Sequence, residues 1–258
     1  ERLPTIAELG EITAALLGPQ LSARLTAART EAEIRSIIDA NTFDMAFQPI
    51  VDLATGAIRG YEALARFCDG CPPDEHFRRA HEVGLGTELE LACVAAAIRQ
   101  SAQLAPGAWL NVNVSPEVVL SDALAGMLPV PGRVVVLEVT EHEAITDYAA
   151  FRAAVARLDG AVRVAVDDAG AGFASLRHIV ELDPLFVKLD RSLIVGIESD
   201  RARKAMVDGM VRFAEVAGLT LIAEGIETDA ELAALRRAAV PLGQGFLLGR
   251  PVVLPRLS

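Results

Sequence analysis

The sequence predicts an α/β fold, a (β/α)8 TIM-type barrel with one antiparallel strand, and three observations carry that reading. Eight short β-rich runs recur from residue 43 onward. Stretches of helical periodicity separate most of them, and strand-then-helix repeats imply parallel pairing because parallel neighbours need a crossover connection. One junction, "DLATGA", is only a turn long, so the first two strands must pair antiparallel as a hairpin.

Taken in order, the runs are "FDMAFQPIV" (43–51), "IRGYEALAR" (58–66), "WLNVNV" (109–114), "VVVLEVT" (134–140), "RVAVDD" (163–168), "LFVKLD" (185–190), "LTLIAEG" (219–225) and "GQGFLL" (243–248). Eight strands in about 210 residues fit a closed barrel better than an open sheet. Between the fourth and fifth, Ile145, Tyr148, Phe151, Val155 and Leu158 share one helical face. Thr140-x-x-Glu143 reads as a capping box, and Ser115-Pro116 as an N-cap followed by proline at the first helical position. Residues 1–41 form an N-terminal helical segment or linker ahead of the barrel domain at 42–258. Within it, "TIAELGEITAALLG" and "TEAEIRSIIDAN" read as two helices, the second opened by a capping box at Thr30-x-x-Glu33. They are expected to pack across the barrel's bottom or to lead in from a further domain.

The chain has 258 residues, 52% hydrophobic and 23% charged, which gives ample core and excludes a disordered protein. No apolar run reaches the roughly 18 residues of a membrane span, and "ERLPTIAELG" lacks the order of a secretory signal. A cytoplasmic protein is expected. The chain starts at Glu1 rather than Met, as a piece of a longer protein would, leaving room for an upstream sensory or regulatory domain. A formal charge of −11 argues against a DNA or RNA polymer as partner, while an anionic small ligand remains compatible through a local cation. Cys68, Cys71 and Cys93 are an odd set for a disulfide framework and fit a reducing compartment. In "CDGCPPDEHFRRAH" the residues Cys68, Cys71, His76 and His81 could close around zinc, but their spacing matches no common zinc module, and the segment reads as a structural loop.

Position carries the functional signal. Glu62 lies in strand two, Asn113 ends strand three, Glu138 is near the end of four, Asp167 and Asp168 end five, Lys188 is in six, and Glu224 ends seven. In a barrel those ends share one rim. Strand periodicity sets Lys188 with Phe186, Glu224 with Ile222, Glu62 with Arg66, Asn111 with Asn113 and Glu138 with Val136, and the apolar alternate faces must meet the outer helices. The carboxylates therefore point inward, where they need countercharge. All-oxygen donors favour a hard cation, Mg²⁺ or Mn²⁺. The adjacent Asp167 and Asp168, read as the point where the chain leaves the strand toward Gly170 and Gly172, could serve two metals roughly 4 Å apart, a separation suited to phosphoester hydrolysis.

Each residue also has a plainer reading. Asn113 or Asp168 alone would be a helix N-cap, Lys188 alone a snorkelling lysine, and Glu138 and Glu224 strand-end surface charges. Their common rim favours a metal-assisted site. "GAGFAS" only loosely echoes a dinucleotide fingerprint, and the absence of G-x-S-x-G speaks against a serine hydrolase.

"FQPIVDLATGAIRGYEALARF", "NVNVSP", "LEVTE", "VDDAGAG", "FVKLD", "AEGIET" and "GQGFLLGRP", in that order, resemble the motifs of the EAL domain, a bacterial phosphodiesterase of cyclic di-GMP. The likeness spans about residues 43 to 252. It implies that Glu62, Asn113, Glu138, Asp167, Asp168 and Glu224 hold two divalent ions, Mg²⁺ or Mn²⁺. It implies further that Lys188 helps position or deprotonate the attacking water and that Glu141 braces the aspartate loop. Gln48, Arg66 and Gln244 would contact substrate, and Glu227 matches another acidic position near the metals. The implied reaction opens cyclic di-GMP to linear 5′-pGpG, and a homodimer is expected because the family tends to dimerise. One departure stands out: the family's aspartates are commonly followed by Phe-Gly-Thr-Gly, and here the run is Ala169-Gly170-Ala171-Gly172. A silent receptor of the same fold is the alternative function, and a barrel lyase or aldolase a third class that accounts for the fold but not for seven motifs in series.

Overall fold

The computed structural model describes residues 6–140, 145–158, 160, 162–170 and 174–255. The strands are β1 (Phe43–Asp52), β2 (Ile58–Phe67), β3 (Trp109–Asn113), β4 (Val135–Thr140), β5 (Val162–Ala169), β6 (Phe186–Leu189), β7 (Thr220–Ala223), β8 (Leu242–Gly243) and β9 (Val252–Val253). They are hydrogen-bonded in the order β2-β3-β4-β5-β6-β7-β8-β1-β9, and β2 also pairs with β1, which closes the ring. β1 is antiparallel to β2 and β8, whereas pairs from β2 to β8 are parallel. The expected barrel with one reversed strand is therefore what the chain adopts.

Period-two patterning sorts the strand side chains. Ile50, Val136, Ala165, Phe186, Ile222 and Leu242 form a separate buried cluster that fills the ring, with Trp109 packed against it. Val135, Leu137, Val164, Val187, Leu189 and Leu221 belong to the larger core between the strands and the helices outside them. The Trp109 and Phe186 rings stack with centroids 5.1 Å apart, and the indole covers Gly60 so closely that a Cβ there would collide with it.

Three expectations change. The eighth run shortens to Leu242–Gly243 because the chain then folds over Ile226: its N–H donates to Gln244 O and its carbonyl accepts from the Leu247 N–H. A Cβ on Gly245 would strike the Ile226 backbone, so this close crossing needs glycine. The helix α1 (Ile6–Ala40) is one element rather than two. Pro19 marks no break, and the intervening "QLSARLTAAR" consists largely of good helix formers. Thr30 is thus inside a helix, and Glu33 pairs with Arg29 at 3.0 Å and with Arg79 instead of closing a capping box.

Nor does α1 run under the barrel. Because Phe43 opens β1 opposite Phe67 at the end of β2, α1 delivers the chain to the rim where the parallel strands finish. Its Ile34 is fully buried, and Glu33 reaches Arg79 of the helix α2 (Pro73–Glu82) that follows β2. The Ser115 cap is as expected, accepting from Val118 N at 3.4 Å to open a helix at Pro116–Leu120. The Thr140 capping box involves Glu143, which lies outside the described residues.

Candidate active site

The structure corrects one local expectation first. The chain does not leave β5 at the aspartates, since Ala169 still pairs with Leu189 of β6. Val166 pairs with Val187, so two residues on β5 stand against one on β6, a β-bulge formed by Asp167 and Asp168. Asp168 takes the left-handed conformation with φ 57°, and its N–H donates to Asp167 Oδ1 at 2.8 Å. This bulge, not a strand end, aims two consecutive carboxylates at one place. Gly170 follows at φ 108° under Leu193.

Lys188 is the centre of the rim. Its side chain is 1% exposed, and Nζ lies 2.8 Å from Glu224, 3.1 Å from both Glu138 and Asp167, and 3.4 Å from Glu62. Amides complete the arrangement. Asn113 donates to Glu62 Oε1 at 3.1 Å and Gln244 to Glu62 Oε2 at 2.6 Å. Gln244 also donates to Gln48 Oε1 at 2.9 Å, and Gln48 Nε2 donates to the Gly249 carbonyl at 3.0 Å. Six strands, β1 to β6, and the exits of β7 and β8 thus converge on one network of ion pairs and hydrogen bonds.

Burial and mutual repulsion set the protonation of these groups. Burial pushes Glu138 well above the ordinary carboxylate range, with Glu62 adding to the shift and Lys188 opposing it. Burial likewise raises Glu224 to about 8 against the pull of Lys188. Burial also works against ionisation of Glu62, but Lys188 and the Gln244 and Asn113 amides outweigh it and lower its pKa. Desolvation disfavours the Lys188 ammonium, yet Asp167, Glu138, Glu224 and Glu62 together hold its pKa well above 10.5.

One lysine cannot neutralise this many carboxylates, and two groups have the geometry for cations: Glu62, Glu138 and Asp167, and Asp167, Asp168 and Glu224, each with donor oxygens within 4.8 Å of one another. Glu138 Oε2 is buried without a hydrogen-bond partner among the described residues. Crowded, buried carboxylates, an orphaned oxygen and all-oxygen donors fit a hard divalent cation.

Some expected residues stand apart. Arg66 is exposed and donates to its own neighbour's carbonyl, Ala65 O, at 2.8 Å. It lines, with Leu64 and Asn113, a cavity of about 540 Å3 that runs between β2, β3 and the helices α2 and α3 (Gly86–Ser101). Glu227 pairs with Arg191 at 2.9 Å. Glu141 lies outside the described residues. Sequence reasoning left out Asn111, fully buried, whose Nδ2 donates to Glu138 Oε1 at 2.5 Å. The alternation in the sequence set Asn111 on one face with Asn113, but its place opposite Glu62 and its reach to Glu138 came only with the strand register.

A family model described as the EAL domain matches residues 31–251. The chain belongs to the EAL domain family. Among its relatives, the cyclic di-GMP phosphodiesterase RocR of Pseudomonas aeruginosa is 30% identical over 86% of this chain and 60% of RocR. The manganese and cy-diGMP complex of Klebsiella pneumoniae BlrP1 superimposes on this EAL chain with a TM-score of 0.73 at 33% identity, covering 82% of this chain and 56% of BlrP1. An EAL domain protein of Listeria monocytogenes gives a TM-score of 0.76 at 25% identity, over 86% of this chain and 94% of that one. The chain spans only part of several relatives: 38% of an uncharacterised protein of Mycobacterium tuberculosis and 30% of the oxygen sensor protein DosP of Escherichia coli.

Proposed function

We propose that this EAL domain is a metal-dependent phosphodiesterase that hydrolyses cyclic di-GMP to linear 5′-pGpG. The observation that carries the reading is Lys188 held within 3.4 Å of Glu62, Glu138, Asp167 and Glu224 on the rim of the barrel. The likeness to BlrP1, whose complex contains manganese and cy-diGMP, and to the phosphodiesterase RocR supports it.

Glu62, Asn113, Glu138, Asp167, Asp168 and Glu224 would hold two divalent ions, Mg²⁺ or Mn²⁺. Such ions, when bound, lower the pKa of water, neutralise phosphate charge and stabilise the departing oxygen. The chain's own residues do the rest. Lys188 fixes the carboxylates around one point and, as an ammonium, orients the attacking water; taking the proton of that water would require bound cations to offset the carboxylate charge that keeps Lys188 protonated. Gln244 and Gln48 orient Glu62 and meet the substrate, and the free end of the Arg66 guanidinium suits a phosphate oxygen at the mouth of the cavity. Glu141 would brace the aspartate loop, and Glu227 would supply a further carboxylate near the metals. Residues 1–41 act as a helical lead-in and 42–258 as the barrel domain, in a cytoplasmic homodimer with an upstream sensory or regulatory domain. The reversed sign of a nucleic-acid binder, −11 over the chain, suits a small dinucleotide over a DNA or RNA polymer.

Incubation of the purified chain with cyclic di-GMP and Mg²⁺ or Mn²⁺, followed by chromatography, is expected to yield pGpG. Tight binding without product would overturn the enzyme reading in favour of a receptor.

A further inference from the structure

The loop joining β2 to α2 brings together three donors of a different kind. Asp69, Cys71 and His76 place a carboxylate oxygen, the thiol and a ring nitrogen within 4.8 Å of one another. His76 is fully buried, its ring packs on Phe67 with centroids 4.0 Å apart, and its Nε2 lies 3.0 Å from Asp69 Oδ1. Its Nδ1 is buried with no hydrogen-bond partner among the described residues. Asp69 and Cys71 are exposed, so a cation can enter from solvent. The spacing of the segment suggested Cys68 and His81 as the remaining donors, but the fold assembles a different set. His81 Nε2 faces Glu90 at 3.3 Å, and Asp69 takes its place.

We infer that Asp69, Cys71 and His76 form a second metal site, separate from the carboxylate rim and suited to Zn²⁺. A thiolate, an imidazole and a carboxylate are the donors zinc takes, whereas the rim offers oxygen alone. Two anionic ligands neutralise the dication, and Arg79, which lines the same pocket as Asp69 and His76, is already paired with Glu33. The buried imidazole gives the site a fixed anchor, and three protein donors leave a fourth tetrahedral position open. A simple loop turn explains why Asp69 Oδ1 accepts the Cys71 N–H at 3.0 Å, but not why the thiol and the carboxylate stand together beside a fully buried imidazole. The bound ion would clasp the exit of β2, just beyond Arg66, to the first turn of α2.

Cobalt reads this site apart from the rim. Titration of the reduced chain with Co²⁺ is expected to produce a thiolate-to-metal charge-transfer band in the near ultraviolet, bleached by added Zn²⁺, which oxygen donors cannot give. C71S is expected to abolish the band, D69N to weaken Zn²⁺ competition for it, and E62Q on the rim to leave it unchanged. Circular dichroism establishes that each variant is folded, and Cys71 is exposed enough for serine to replace it without disturbing the core. Absence of the band in the wild-type chain, or a band of equal strength in C71S, overturns the inference. Neither result depends on whether the rim hydrolyses cyclic di-GMP.

Discussion

Lys188 Nζ lies 3.1 Å from Glu138 Oε1, with the two side chains 1% and 0% exposed. The lysine is the only counter-ion Glu138 has in this structure among the described residues, and it serves three other carboxylates at once. Replacing it with methionine keeps the stem and removes the charge. K188M is expected to abolish pGpG production and to destabilise the metal-free chain by about 3–5 kcal/mol, the usual effect of leaving a buried charge unpaired. Added Mn²⁺ should restore much of the melting temperature without restoring turnover. Full activity in K188M would remove the lysine from the reaction.

Asn111 supports Glu138 from the other side, through a hydrogen bond of 2.5 Å. A residue that orients a metal-binding carboxylate acts on affinity before it acts on the chemical step. N111A is expected to raise the Mn²⁺ concentration needed for half-maximal activity by about 10–100-fold, with a smaller change in the rate at saturating metal. A calorimetric Mn²⁺ titration checks this independently, and unchanged affinity would show that the amide only fills space.

Much of this arrangement was legible in the sequence. The alternation in "FVKLD" and "TLIAE" set Lys188 and Glu224 on the inner face, because Val187, Leu189, Leu221 and Ala223 had to meet helices, and they do. The hairpin followed from a link too short to cross over. What could not be read were features decided by non-local backbone contacts. β8 ends early because Gln244 and Leu247 bond to Ile226, and the β5 bulge exists because Ala169 keeps its pairing with Leu189. Asn111 was missed for a related reason: its partner Glu138 comes from the next strand, and only register brings the two together.

The bulge itself is testable at Gly170. With φ at 108°, an L side chain is strained there whatever the space, and a Cβ would also press on the Leu193 side chain. G170A is expected to cost about 1–3 kcal/mol in urea unfolding. Leu193 can shift its flexible end, so adding L193A should not rescue the loss and will add its own cavity cost. A stable G170A protein would mean that the loop can adopt another path.

Glu231 ties the segment carrying Glu224 and Glu227 to the rest of the rim. Its carboxylate accepts the N–H groups of Glu227 and Thr228 at 3.0 Å each and of Gly196 at 3.3 Å, while Thr228 caps the Glu231 N–H at 3.2 Å. Burial works against ionisation of Glu231, but these N–H donors outweigh it and hold the pKa below the ordinary 4.5. A lowered carboxylate pKa contributes stability that is fully present above the unfolded value and disappears as pH falls through the folded one. E231Q loses the charge, so it is expected to be less stable than wild type by about 1–2 kcal/mol at neutral pH. That gap should narrow as the wild-type carboxyl is protonated below 4.5. Urea melts of both proteins at neutral and acidic pH measure it, and a difference that stays constant or grows in acid would place the stabilising effect of Glu231 in packing instead of charge.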